Sequence, residues 1–441
     1  MALLCAVCFA AVSTMPKTDV MRQFFYAKSI LLRHFMQEMD NRFMRAQLIL
    51  RPSTLTLTAL VIYLSALRTH DATRTVWILT GLAKRIAESL GIHEDGARLR
   101  LSPFDTEMRR RLWWHLTALE ASAPENHGFN AASTVSENKF PLPNNINDDD
   151  IGPQMKEPRV KNEVWTETSF SILNLDLSRR LRSAVTNSND DFNAQVNIIE
   201  ETDHVMSQQL LRFADMTKPI CRAADALLRI SVLKAHFIST LQKWLSTGTR
   251  TESQYSHLPQ SIFSTAVKLL EDGYLLQSGN LFSDFAWFYQ QHPQLYALFL
   301  VLRTLHASPE RAEVDRAWLA VDNYFTCLAD FEEAAELKGR TSCVWTVLNP
   351  LRNKARESRS VIGHTKQGLP HAEFLSSNTD LDSTNSISQN PDPTSSVSTF
   401  ESGVHLPFTR TNQLGLEHSA FDDVLAWQDF TDWFNMDVGG F

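Results

Sequence analysis

Four groups of side chains in the sequence have types and spacings that chemistry uses. Cys5 and Cys8 form a C-x-x-C pair, half of a zinc or redox centre. His93 precedes Glu94 and Asp95, so a carboxylate could orient an imidazole base. Asp148, Asp149 and Asp150 offer consecutive hard oxygen ligands of the kind that hold Mg²⁺ or Ca²⁺. Arg109, Arg110 and Arg111 run towards Trp113 and Trp114, with cations for phosphates and rings for base stacking.

The surrounding residues weigh against each chemistry. No second cysteine pair or His-x-x-His follows Cys8, so the two cysteines read as small residues of a buried helix. No G-x-S-x-G or H-E-x-x-H accompanies His93, and hydrogen bonding at a helix end is its expected role. Adjacent aspartates diverge, and the loop lacks the Gly and Glu of an EF-hand; loop solvation and capping are expected instead. No Gly-rich phosphate loop is present. The sequence therefore nominates no enzyme activity, no metal and no cofactor.

Whole-chain properties narrow the classes further. Net charge is −8, from 42 Lys and Arg against 50 Asp and Glu, which excludes a general polyanion binder. The five cysteines, Cys5, Cys8, Cys221, Cys327 and Cys343, are scattered and odd in number, which points to a reducing compartment. The opening "MALLCAVCFAAVSTM" lacks the basic start of a signal peptide and is too short to span a bilayer. It reads as a first core helix, and no membrane partner is expected.

Helical periodicity supplies the elements that must position these residues. Residues 1 to about 120 read as successive helices. In "RTVWILTGLAKRIAESLGIHEDG", Val76, Leu79, Leu82, Ala83, Ile86 and Leu90 form one apolar face, with Lys84, Arg85 and Glu88 outside it and Gly91 as C-cap. "STLTLTALVIYLSALRTH" is apolar on most sides and reads as a central helix, its Thr-rich start leaving a strand open. Ser102 caps the next helix, where Met108, Leu112, His115, Leu116 and Leu119 share a face that Trp113 borders. Trp114 lies farther round, and Arg109 and Arg110 point towards carboxylates or water. Each tryptophan hides on the order of 200 Å² in a core, so this is a packed helix rather than a nucleic-acid contact.

"FPLPNNINDDDIGP" cannot continue a helix and reads as an ordered loop pegged by Phe140, Leu142, Ile146 and Ile151. Helical patterns resume in "VWTETSFSILNLDLSRRLRSAV", "AADALLRISVLKAHFISTLQKWL", "HPQLYALFLVLRTLHAS", "EVDRAWLAVDNYFTCLADFEEAAELKGR" and "CVWTVLNPLRNKARESR". The expected fold is a compact all-α domain over residues 1–358. A Ser/Thr/Asn/Pro-rich linker follows over 359–418, its composition that of a disordered segment. Residues 419–441 close an acidic tail in which Asp422, Asp423, Asp429 and Asp432 alternate with Trp427, Phe430, Trp433 and Phe434. Such segments can dock their rings into a partner's groove as a helix, the favoured expectation here, the alternative being a terminal helix that packs back onto its own domain.

Taken in order, "LAKRIAESLGIHEDG", "SPFDTEMRRRLWWHLTALEAS" and "FPLPNNINDDDI" resemble the regulatory domain of fungal zinc-cluster (Zn2Cys6) transcription factors. The residues that carry the resemblance are Gly91, His93, Asp95, Glu107, Arg109, Arg110, Arg111, Trp113, Trp114, Pro141, Pro143, Asp148 and Asp149. Glu94, Glu120 and "HGFNAA" depart from the family pattern. The resemblance implies a nuclear transcription regulator of a metabolic or secondary-metabolite gene set. Its tail would be an activation segment that contacts the transcription machinery or a coactivator. The six-cysteine DNA-binding module of the family does not occur in these 441 residues. DNA contact is accordingly expected only indirectly or through such a module. Dimerisation with zinc-cluster factors, as a partner-dependent or dominant-negative modulator, is one alternative. A helical enzyme or small-molecule-binding protein is the alternative from another class.

Overall fold

The computed structural model describes residues 1–70, 74–121, 140–161, 163–186, 192–247, 252–279, 282–336 and 343–367. Among them the chain is all-α. An N-terminal group contains α1 (Ala2–Thr14), α2 (Lys17–Phe24), α3 (Lys28–Arg45), α4 (Thr54–Leu67), α5 (Arg74–Ser89) and α6 (Pro103–Ala121). After an extended segment come α7 (Ser169–Thr186), α8 (Phe192–Gln209), α9 (Pro219–Thr247) and α10 (Gln260–Gln277). The last group is α11 (Ala286–Gln290), α12 (Leu295–Ala307), α13 (Val314–Glu336) and α14 (Cys343–Gln367). No helix among the described residues is long and apolar enough to cross a membrane.

The Thr-rich start of α4 is helical, and the reason is local. Ser53 Oγ accepts from Thr56 N at 3.2 Å and Ser53 N donates back to Thr56 Oγ1 at 3.0 Å, a reciprocal cap for two otherwise orphaned donors. Leu57, Leu60, Leu64 and Leu67 then bury α4 at the centre of a first core, against α1, α5 and α6. Phe9 of α1 packs on Tyr63 with ring centroids 5.0 Å apart. Cys5 and Cys8 lie on α1 as free thiols, Cys5 buried.

A second core gathers α7 to α14. Tyr324, fully buried, anchors it: its hydroxyl accepts from Gln294 N at 2.6 Å and from Gln277 Nε2 at 3.1 Å. Gly273 lets α10 approach that ring, since a Cβ there would lie 3.0 Å from it. Sequence periodicity singled out neither α8 nor α10. The stripe of α8 is narrow, with Ile199 and Met206 buried among many polar neighbours, whereas α10 buries one half, with Ile262, Phe263, Ala266, Val267 and Leu270, and turns Ser261, Lys268 and Leu275 outward. The helix α14 continues to Gln367, past residue 358 where the sequence alone set the end of the domain. The 122–139 connection, the remaining linker and the acidic tail, with Asp422, Asp423, Trp427, Asp429, Phe430, Asp432, Trp433 and Phe434, lie outside the described residues.

The two cores meet through α6 and α7 and through a buried bond. Arg68, just past α4, donates from Nη2 to the carbonyl of Gln291 at 3.0 Å.

Candidate functional site

Eleven of the thirteen signature residues lie on α6 or bond or stack against it, whereas Pro143 is buried in the loop and Asp149 is exposed. Ser102 starts that helix, accepting from Asp105 N at 3.0 Å. At the end of α5, Gly91 adopts φ 67° and Ile92 N reaches back to Ala87 O at 2.9 Å, so the chain turns sharply towards α6. Gly96 is needed for a different reason: a Cβ there would stand 2.6 Å from Thr106 Oγ1 and 2.8 Å from Thr106 Cα. The α5–α6 turn can lie against α6 only without a side chain at that position.

Each of the three arginines then holds a different segment. Arg109 donates to the Gly91 carbonyl at 3.1 Å, which fixes the helix end. Arg110 grips Asp95 with two parallel bonds, Nε to Oδ1 and Nη2 to Oδ2, both 2.8 Å. That guanidinium holds the Asp95 carboxyl below the usual carboxylate range against the opposing effect of burial. Arg111 reaches three partners: Glu107 Oε1 at 3.0 Å, Asp148 Oδ1 at 3.2 Å and Thr168 Oγ1 at 3.0 Å. It ties α6 to the aspartate run and to the start of α7.

Glu107 has no exposed surface. Its second oxygen accepts from Asn144 twice, at 3.1 Å from the main chain and 2.8 Å from the side-chain amide. Trp114 completes the clamp by donating Nε1 to the Pro141 carbonyl at 2.8 Å. Both tryptophans are 2% exposed. Trp113 sits between Phe140, at 5.9 Å between centroids, and His93, at 6.3 Å. Pro143 is buried beside this contact and Pro141 is exposed.

Three details differ from helical geometry alone: His115, placed on the apolar face of α6, is exposed at the edge of its packed side. Met108 is 41% exposed, because the adjoining faces of α6 take the core and the loop contact. Lys84, placed outside the apolar face of α5, is instead buried against α6, its ammonium paired with Glu120 and 6.0 Å from the Trp113 ring. A desolvated cation is tolerable there because a carboxylate faces it.

The aspartate run is a 3₁₀ turn over Asp148–Asp150 and not a cation cage. Asp148 meets Arg111, Asp149 is exposed, and Asp150 pairs with Lys161 at 2.8 Å, which holds its carboxyl below the ordinary range. Among the described residues no cluster of three or more His, Cys, Asp or Glu side chains could hold a metal ion.

Sequence reasoning missed the partners that fasten the loop to α7. Asn145 Oδ1 accepts from Thr166 Oγ1 at 2.6 Å and from Ser169 Oγ at 2.8 Å. Its amide donates to the carbonyls of Lys161 and Val164, at 2.6 and 3.0 Å. Thr168 Oγ1 donates to Ile146 O at 2.5 Å, and Glu167 accepts from Asp148 N at 2.7 Å. The available signal was the density of Asn and Thr on both sides of a Pro-rich stretch. The cluster closes in on itself, and every guanidinium of "RRR" has an internal acceptor. Its chemistry is positional: it locks α5, α6, the loop and α7 into one unit.

Comparison with known proteins bears on what that unit is for. Residues 1–265 match the family model of the fungal specific transcription factor domain. The chain is 28% identical over 288 residues to the transcriptional regulator AacuB of Aspergillus aculeatus, covering 62% of this chain and 38% of that protein. It is 32% identical over 154 residues to the pyriculol/pyriculariol biosynthesis cluster transcription factor 1 of Pyricularia oryzae, covering 35% of this chain and 21% of the relative. It is 23% identical over 383 residues to the C6 finger domain transcription factor nscR of Aspergillus fumigatus, covering 84% and 48%. The chain thus spans less than half the length of each of these three relatives.

Proposed function

This chain belongs to the fungal specific transcription factor domain family, and from that premise we propose that it regulates transcription of a secondary-metabolite gene set in the nucleus, without enzymatic activity. The observation that carries the reading is the family match over the whole α6 clamp and both its flanks. Support for the gene set comes from the pyriculol/pyriculariol cluster factor among its relatives. The clamp supports a division of labour. Its arginines and tryptophans are engaged inside the domain, so promoter contact runs through a separate DNA-binding module or through a partner of the zinc-cluster class. Output runs through the acidic, aromatic segment at 419–441, which meets the transcription machinery or a coactivator.

The test fuses the 441-residue chain to a foreign DNA-binding domain upstream of a reporter. The fusion should activate, and replacing Trp427, Phe430, Trp433 and Phe434 together by Ala should return the signal to background. A fusion that is silent, or one whose output survives the four replacements, would sink the proposed route.

A further inference from the structure

At the junction of the two cores lies a cavity of about 440 Å³, within the range that takes a small organic molecule. It is walled by α4 and α6 from the first core and by α7 and the α11 region from the second. Its chemistry is uneven. Arg68 and Arg182 contribute two guanidiniums to the lining, and none of its described lining residues is an aspartate or glutamate. The rings of Phe170, Trp287 and Phe288 supply an aromatic wall, with Phe170 and Phe288 edge to face at 5.2 Å. Among the described residues this lining is cationic and aromatic, the combination that receives a flat, apolar anion.

The neutral groups refine this. His115 is exposed on the cavity side, with protein packed behind its ring. Its Nδ1 lies 2.8 Å from the Arg111 carbonyl, which can only accept; Nδ1 therefore carries the hydrogen, and Nε2 presents a lone pair. Burial keeps the His115 imidazole below its ordinary range. His292 is driven down to about 3, chiefly by burial and then by Arg68 and Lys234, so both rings are acceptors at neutral pH. Gln291 is 8% exposed and lies in the lining, where its carbonyl receives Arg68 and so fixes that guanidinium at the cavity wall.

We propose that this inter-core cavity binds a hydroxylated aromatic carboxylate, its carboxylate held by Arg68 and Arg182, its ring against Phe170, Trp287 and Phe288, and its hydroxyl donating to a neutral histidine. The proposal concerns binding by the chain itself and does not depend on the regulator reading.

The experiment uses the purified full chain with hydroxynaphthoate as probe and naphthol, which lacks the carboxylate, as its uncharged counterpart. Binding is followed by tryptophan fluorescence and by the rise in melting temperature that a ligand of the native state produces. Hydroxynaphthoate should bind roughly tenfold or more tightly than naphthol, and Arg182→Gln should remove most of that difference by deleting a charge-assisted contact. Ser178→Phe, which fills the cavity from α7, should abolish binding of both probes with the unliganded melting temperature kept. If Ser178→Phe does not fold, Arg182→Gln decides alone. No binding of hydroxynaphthoate, equal binding of the two probes, or unchanged affinity in Arg182→Gln would each overturn the proposal.

Discussion

Three neighbouring arginines of one type have three distinct tasks, and the difference lies wholly in what faces them. Arg110 and Asp95 form a bidentate pair whose side chains are mostly withdrawn from water. Asp95→Asn should cost about 3 kcal/mol, because it leaves a guanidinium without its counter-charge. Urea unfolding at neutral pH measures this directly. The pair also sets an acid dependence. Asp95 is depressed in the folded state, so its contribution is present above the unfolded carboxylate value of about 3.9 and is lost as pH falls through the lower folded value. Unfolding midpoints followed downward from neutral pH should fall more steeply below about pH 4 in the natural chain than in Asp95→Asn. Parallel curves would show that this pair carries no such linkage. Trp114→Phe, which keeps most of the apolar surface, should cost about 1–3 kcal/mol by stranding the Pro141 carbonyl.

At the scale of elements, α6 works as a spindle on which its neighbours are fastened. Glu107 is the one carboxylate there with no exposed surface, and it joins two segments at once, α6 through Arg111 and the loop through Asn144. Glu107→Gln should therefore destabilise by about 3 kcal/mol and loosen the loop. Hydrogen exchange is expected to rise at the Asn144 amide while the amides of α4 stay protected. Gly96→Ala tests the opposite kind of constraint, since it adds a methyl group against the backbone of α6. It should cost about 1–3 kcal/mol by overpacking, in spite of the helix-favouring residue. A neutral outcome would mean that the α5–α6 turn can slide. Periodicity located α5 and α6, and local rules located their caps at Gly91 and Ser102. It could not place Lys84, because a helix face becomes interior only when a second helix with a carboxylate arrives.

For the whole molecule, the decisive fact is that one apparent domain contains two cores. The α6–α7 contact and the Arg68 bond join them, and the cavity lies in that seam. Arg68 is buried at the seam, so Arg68→Met should weaken the coupling between the cores. Unfolding of that variant should lose two-state character, with fluorescence and circular dichroism transitions separating. Coincident transitions would show that the cores remain coupled without Arg68. The signature arginines and tryptophans face inward at this scale too. Replacing Arg109 or Arg111 should lower thermal stability without altering any affinity of the 441-residue chain for promoter DNA, a contrast that mobility shifts on the same samples would read.

By itself the sequence determined that this chain is helical, because apolar residues at steps of three and four, with Ser, Gly and Pro at the breaks, leave few other local solutions. It also determined the family, since the order of "GIHED", "RRRLWW" and "FPLPNNINDDD" is carried by residue identity and survives without coordinates. Tertiary structure alone decided that each arginine has its own acceptor, that Gly96 must remain bare and that Asn145 ties the loop to α7. It also decided that two guanidiniums, two neutral histidines and three rings from distant helices share one cavity. The physical reason is range: capping and periodicity act within a few residues, whereas charge pairing, close approach and cavity lining join side chains that the sequence keeps far apart.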